Sequence, residues 1–147
     1  LIDLGHIFYQ SILDFKIEFD VILGSAYKGI IICQAIVADA WIYNDRELKY
    51  AFNRKDTKTH GEGGTVVGSP ITDQRVLIVD DVITSGKSLN FVYNMIKSYN
   101  PKSVEALVGI DRQVDKINLD FPVKSIINQN FVNQFLTHRG ITVTTTK

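Results

Sequence analysis

Apolar and polar positions divide the chain into short apolar runs and helical stripes that succeed one another from end to end. Leu4, Ile7, Phe8, Ser11, Ile12 and Phe15 recur at three- and four-residue intervals and predict a first amphipathic helix. A strand follows over 20–23, then a helix from about Gly29 to Trp41 and a strand near Leu48–Asn53. After a long polar stretch, Val66 and Val67 read as a returning arm. Val76, Leu77, Ile78 and Val79 form a continuous apolar run, the mark of a strand buried on both faces in a parallel sheet. Leu89, Val92, Tyr93 and Ile96 then predict a helix over 87–99, with further strands at 104–109 and 123–127. This alternation predicts an α/β fold with a mainly parallel sheet flanked by helices. No repeat or linker interrupts it, so 1–147 reads as a single domain, with its core in 1–128 and a C-terminal tail over 129–147.

The strand at 76–79 ends on two adjacent carboxylates, Asp80 and Asp81, at the position where open α/β sheets bind ligands. Val82 and Ile83 lead into Thr84, Ser85 and Gly86, and Lys87 and Ser88 open the next helix. Backbone N–H groups of such a loop and of a first helical turn converge on an anion, so a phosphate is the natural occupant. The aspartates repel phosphate and must serve something else, either ribose hydroxyls or a magnesium ion held directly or through water. A nucleotide-hydrolase P-loop fails on spacing, because its first glycine would fall on Asp81. Residues 24–29, GSAYKG, have two glycines but lack the Lys-Ser/Thr that must follow. VLIVDD alone would also suit an ordinary buried strand with a solvated acidic end. The whole string VLIVDDVITSGKS is more specific and resembles the 5-phosphoribosyl 1-pyrophosphate (PRPP) signature of the type I phosphoribosyltransferases.

Residues 52–68 hold Arg54, Lys55, Lys58 and His60, then Gly61, Glu62, Gly63 and Gly64. Four basic or potentially basic side chains within seven residues make a strong local positive field, and the glycines permit large backbone excursions. The physical reading is a flexible lid hairpin whose cations fold over an anionic leaving group and exclude water. A solvated hairpin tip would have the same composition. The order RKxxKxHGEGG, however, resembles the catalytic loop of the orotate branch of that family.

Two further stretches agree. Phe19 to Ile30 is an apolar run leading to a glycine-bounded turn that carries Tyr27 and Lys28; in the family the matching turn binds the pyrophosphate of PRPP. Ser25 stands where the family usually has proline, which leaves the turn less rigid. Val104 to Gln113 is a strand ending in Asp111 and Arg112. An arginine there can make a two-pronged contact with a planar carboxylate, which orotate has and purine bases lack.

Composition sets looser bounds. Sixteen basic and sixteen acidic residues give zero formal net charge, so no global field favours nucleic acid or a membrane surface as partner. A lone cysteine, Cys33, sits in an apolar run as a small buried hydrophobe, which excludes a disulfide framework and fits a cytoplasmic location. No apolar run nears the roughly twenty residues that span a bilayer. His6 and His138 have no partners at metal-ligand spacing and read as structural or exposed.

The resemblance implies an orotate phosphoribosyltransferase that moves phosphoribosyl from PRPP to orotate, giving orotidine 5′-phosphate and pyrophosphate in pyrimidine synthesis. It implies PRPP binding by Tyr27, Lys28, Arg54, Lys55, Lys58, His60 and the stretch Asp80 to Ser88, and orotate binding by Thr84 and Arg112. Catalysis would fall to Lys58, His60, Lys55, Asp80 and Asp81, with Mg²⁺ held near the aspartates through PRPP and water. A homodimer in which the lid is shared between subunits is implied as well. The resemblance covers residues 1 to about 128, has no counterpart of the family's N-terminal hood over the base, and is shorter across VDKINLDFP. A purine-specific transferase would keep VLIVDDVITSG without the RKxxKxHGEGG loop, and a non-catalytic PRPP-binding regulator or inactive fragment would keep the phosphate loop.

Overall fold

The computed structural model describes residues 1–54, 65–115 and 117–141. Among the described residues ten elements follow one another: α1 (Ile2–Asp14), β1 (Val21–Gly24), α2 (Lys28–Asn44), β2 (Lys49–Asn53), β3 (Val66–Gly68), β4 (Arg75–Ile83), α3 (Lys87–Lys97), β5 (Ser103–Asp111), β6 (Val123–Asn128) and α4 (Gln129–His138). The six strands form one sheet in the order β3-β2-β1-β4-β5-β6. Only β3 runs antiparallel, against β2. The expected mainly parallel α/β architecture is thus the one observed.

The central strand β1 and the first part of β4 read as continuous apolar runs because both faces of the sheet are covered there. Ile22, Leu77, Val79 and Leu107 point to one side and pack on Phe8, Tyr9 and Ile12 of α1 and on Ile32, Cys33 and Ile36 of α2. Val21, Leu23, Ile78, Ala106 and Val108 point to the other, against Leu89, Val92 and Ile96 of α3. Helix α1 lies close on α2 because Gly5 has no side chain, and a Cβ there would stand 2.2 Å from the Ala35 carbonyl oxygen.

Chain order places the site. From β1 the chain steps outward through β2 and β3, then returns to add β4 on the opposite side of β1. The connection after β1 therefore runs to α2 on one face and the connection after β4 to α3 on the other. A crevice opens between the two carboxyl ends, the position at which open α/β sheets take ligands.

Two elements differ from the sequence reading. Strand β4 runs on to Ile83, so Asp80 and Asp81 lie within it and not after its end. The reason is the length of β5, which keeps pairing with β4 through Asp80↔Val108 and Ile83↔Asp111, whereas β1 stops at Gly24↔Val79. The stretch expected as a tail contains α4, capped by Asn128, whose Oδ1 accepts the Phe131 N–H at 2.9 Å.

Candidate active site

Because β1 ends one residue earlier in the shared register, Asp80 and Asp81 project past it and face the 25–27 turn. Glycines bring the turn close. A Cβ on Gly24 would meet the Gly29 carbonyl oxygen at 2.6 Å, and one on Gly29 would meet the Val79 carbonyl oxygen at 2.3 Å. The Ser25 N–H donates to Val79 O (3.2 Å), which ties the turn to β4. The Ala26–Tyr27 peptide is cis. Helix α2 then starts at Lys28, whose Nζ donates to Asp81 Oδ2 at 2.7 Å.

Asn53 holds the same turn from its other side. It closes β2, is buried, and its Oδ1 accepts the Ala26 N–H at 2.9 Å. Sequence reasoning missed it. A polar residue closing an apolar strand was its only signal, and its partner lies 27 positions away.

The two aspartates differ in environment. Asp80 is buried, and its Oδ1 accepts the Asp81 N–H at 2.9 Å. Burial, reinforced by the neighbouring Asp81 charge, raises its carboxyl above its ordinary value, although the Ser25 side chain and then the Asp81 N–H oppose that shift. Asp81 is more open, its side chain 36% exposed, and lies against Lys28. The hydrogen bond from Lys28 to Asp81, followed by their mutual attraction, raises the Lys28 amine above its ordinary value. One carboxylate is therefore built into the strand end, and the other is available at the rim.

Past β4, Thr84 and Ser85 are followed by Gly86 at φ +67°, a left-handed conformation that suits glycine and turns the chain into α3. No side chain caps α3, so the N–H groups of Lys87 and Ser88 open the helix without a competing acceptor from Gly86. Next to this loop lies a cleft of about 550 Å³, lined in part by Ile83, Asp111, Gln113, Ile117, Leu119 and Phe121. Asp80, Asp81 and Lys28 lie outside that lining, so the cleft flanks the aspartates and does not cover them.

Arg112 leaves the end of β5 with its N–H on Ile83 O (2.9 Å), which places it beside the phosphate-type loop. Its Nε donates to Gln129 Oε1 at 2.9 Å. Arg54 follows Asn53, and its N–H donates to Thr65 O at 2.8 Å. The Tyr99 hydroxyl accepts the Thr65 N–H at 3.2 Å and lies 3.1 Å from Thr65 Oγ1. Lys55, Lys58 and His60 fall outside the described residues.

The structure thus gathers Lys28, Asp80, Asp81, the 84–88 loop and Arg112 along one carboxyl edge, with Arg54 at the end of β2 and Tyr27 exposed on the turn. Cys33 is buried elsewhere, and burial pushes its thiol up to about 12, as suits an unreactive core residue. His6 is not isolated: its Nδ1 lies 3.2 Å from Oδ1 of the buried Asp39.

Comparison with known proteins gives one answer from three directions. The phosphoribosyl transferase domain family matches residues 1–138. The orotate phosphoribosyltransferase of Saccharophagus degradans is 38% identical over 151 residues, covering 95% of this chain and 70% of the relative. That of Pseudomonas syringae pv. tomato is 38% identical over 147 residues, covering 92% and 68%. Among solved structures, the orotate phosphoribosyltransferase of Francisella tularensis superposes with a TM-score of 0.78 at 28% identity, covering 93% of this chain and 70% of its own.

Proposed function

The chain belongs to the phosphoribosyl transferase family, on its orotate branch, and from that premise we propose how its residues share the transfer of phosphoribosyl from PRPP to orotate. Orotidine 5′-phosphate and pyrophosphate are the products. The observation that carries the assignment of roles is the Lys28–Asp81 contact at the β1/β4 crevice. It sets an anion-binding cation and a hydroxyl-binding carboxylate side by side, as the pyrophosphate and ribose of one substrate require.

In this reading the 5-phosphate sits on the loop from Thr84 to Ser88 at the start of α3, where backbone N–H groups and the helix dipole favour an anion. Asp80 and Asp81 accept the ribose hydroxyls, and Val82 and Ile83 carry the chain from them to the loop. Tyr27 and Lys28 bind the pyrophosphate. Thr84 and Arg112 take orotate, with the guanidinium on its carboxylate. Arg54, Lys55, Lys58 and His60 meet the negative charge that grows on the departing pyrophosphate, and Lys58 is the principal cation.

Magnesium fits the donor set at the strand end. This ion takes one or two carboxylates, keeps several waters and otherwise binds substrate phosphates. Asp80 and Asp81 are such a pair, and no cluster of three His, Cys, Asp or Glu side chains occurs among the described residues. The ion would be held by Asp80, Asp81, waters and PRPP, and when bound it supplies neutralising charge to the pyrophosphate.

A homodimer in which Lys58 reaches the partner's site belongs to the same reading, as does a cytoplasmic location. Two observations support the location: a lone cysteine buried as a thiol, and no described helix long and apolar enough to cross a membrane. The direct test follows orotate at its ultraviolet band with and without PRPP and Mg²⁺, beside adenine and hypoxanthine as competing bases. Loss of orotate that requires both PRPP and the metal is expected, with neither purine consumed. Consumption of a purine in place of orotate would overturn the substrate assignment.

A further inference from the structure

The guanidinium that a carboxylate substrate would meet is held from one side. Register sets this up: Asp111 of β5 pairs with Asn128 of β6, so Arg112 and Gln129 leave their strands as neighbours. Arg112 Nε donates to Gln129 Oε1, and Gln129 Nε2 donates to Asn133 Oδ1, one turn along α4, also at 2.9 Å. Arg112 fixes which way the Gln129 amide faces, because exchanging its oxygen and nitrogen would set donor against donor there, and the second bond satisfies the amide nitrogen in that orientation. Among the described residues no carboxylate lies within ion-pair distance of Arg112.

We propose that Gln129 is a positioning and specificity residue, whose neutral amide anchors Arg112 through Nε and leaves its two terminal nitrogens, with their charge uncompensated, for the carboxylate of the base. The inference rests on the orotate reading above. A neutral acceptor is the useful choice here. A carboxylate at 129 would hold the arginine more firmly, but it would neutralise the guanidinium and compete for the same fork of donors. An apolar residue would leave charge and fork intact and lose the orientation, so the carboxylate contact would have to order a long side chain each time it formed.

The test compares two ligands that differ only in that carboxylate, orotidine 5′-phosphate and uridine 5′-phosphate, by calorimetric titration of the chain and its variants. Wild type should prefer the former, and Arg112→Ala should abolish the preference. Gln129→Glu should cut the affinity for orotidine 5′-phosphate about tenfold or more, and Gln129→Leu several-fold, with uridine 5′-phosphate affinity unchanged in both. If Arg112→Ala loses the preference while both Gln129 variants keep it, the positioning role is overturned and the orotate reading stands. Equal weakening of both ligands in the Gln129 variants would make the residue a structural cap and overturn the proposal as well. A preference that survives Arg112→Ala would bring down the orotate reading of Arg112, and the role of Gln129 with it.

Discussion

Lys28 Nζ lies 2.7 Å from Asp81 Oδ2, so the cation that opens α2 neutralises a carboxylate of the neighbouring strand. Both groups are partly exposed, the lysine 73% and the aspartate 36%, and an ion pair in such a setting contributes little to the fold. Its value lies in what it keeps available. A ligand with a pyrophosphate and two ribose hydroxyls offers each partner a better contact than the other does.

The first prediction concerns that exchange. Lys28→Met should weaken PRPP binding about tenfold or more, the usual loss for a charge-assisted contact of roughly 1.5–3 kcal/mol. The double variant Asp80→Asn/Asp81→Asn should weaken PRPP binding and remove its dependence on Mg²⁺, while far-UV circular dichroism stays as in wild type. Calorimetric titration with PRPP, with and without the metal, measures both. Unchanged affinity in the double variant would refute the ribose and metal roles.

A second prediction separates stability from function at Asp80. Its carboxyl is raised above the ordinary value of 3.8, chiefly by burial. A raised carboxyl favours the fold fully below that value, and the contribution is lost as pH climbs through the folded-state pKa. At neutral pH the charged form therefore costs stability. Asp80→Asn keeps an acceptor for the Asp81 N–H and removes the charge. It should raise Tm at pH 7.5 by roughly 1–3 °C, the shift that a fraction of a kcal/mol gives in a domain of this size. The gain should fade below about pH 4, and PRPP affinity should fall throughout. Thermal melts across pH check the first part, and a lower Tm at neutral pH would contradict it.

Much of this was legible in the sequence because one physical demand dominated each stretch. A strand buried on both faces must be apolar throughout, so VLIV at 76–79 announced itself. A chain that must bring its backbone against Val79 needs glycine, so Gly24 and Gly29 bracketed the turn. What stayed hidden depended on partners distant in sequence. The length of β4 is set by β5, and nothing in VLIVDDVI says that the pairing outlasts β1. Asn53, Tyr99 and Gln129 act through contacts to Ala26, Thr65 and Arg112, which no local pattern encodes. Helix α4 is written locally in the Asn128 cap and in Phe131 and Phe135 one turn apart, but both are exposed and no residue of the helix is buried, so no core contact marks it as part of the fold.

The third prediction lies at the opposite end of the sheet. Arg75 opens β4 and grips Asp20 with Nε (3.0 Å) and Nη2 (2.8 Å), while its backbone N–H donates to the same carboxylate at 2.8 Å. Its side-chain bonds, then its backbone N–H, hold the Asp20 carboxyl down at about 2, against an ordinary 3.8. A lowered carboxyl contributes stability that is present above the unfolded value and is lost as pH falls through the folded one. Asp20→Asn should therefore lower Tm at pH 5 and above. The difference from wild type should shrink as pH drops from about 4 towards 2, with PRPP affinity untouched. A difference that does not change over that window would remove the linkage.

The last prediction concerns the basic stretch after β2. Arg54 and Thr65 are joined by a backbone hydrogen bond at the carboxyl edge of the sheet, and Thr65 is also held by Tyr99, so the sequence between them starts and ends beside the aspartates' side of the sheet. In the proposed reading Lys55, Lys58 and His60 of that sequence supply the charge that a departing pyrophosphate needs, and charge that meets the leaving group only as it departs lowers the barrier without tightening substrate binding. Lys58→Ala should therefore cut turnover by about 10² or more, the usual loss for one preorganised charge-stabilising group, with a smaller change in PRPP affinity. Steady-state kinetics with each substrate varied, beside direct PRPP titration, measure the two effects separately. If subunits share the stretch, co-expressing Lys58→Ala with Asp80→Asn/Asp81→Asn should restore part of the activity, because some mixed dimers unite an intact Lys58 with intact aspartates at one site. No recovery would assign each stretch to its own subunit, and normal turnover in Lys58→Ala would end its catalytic assignment.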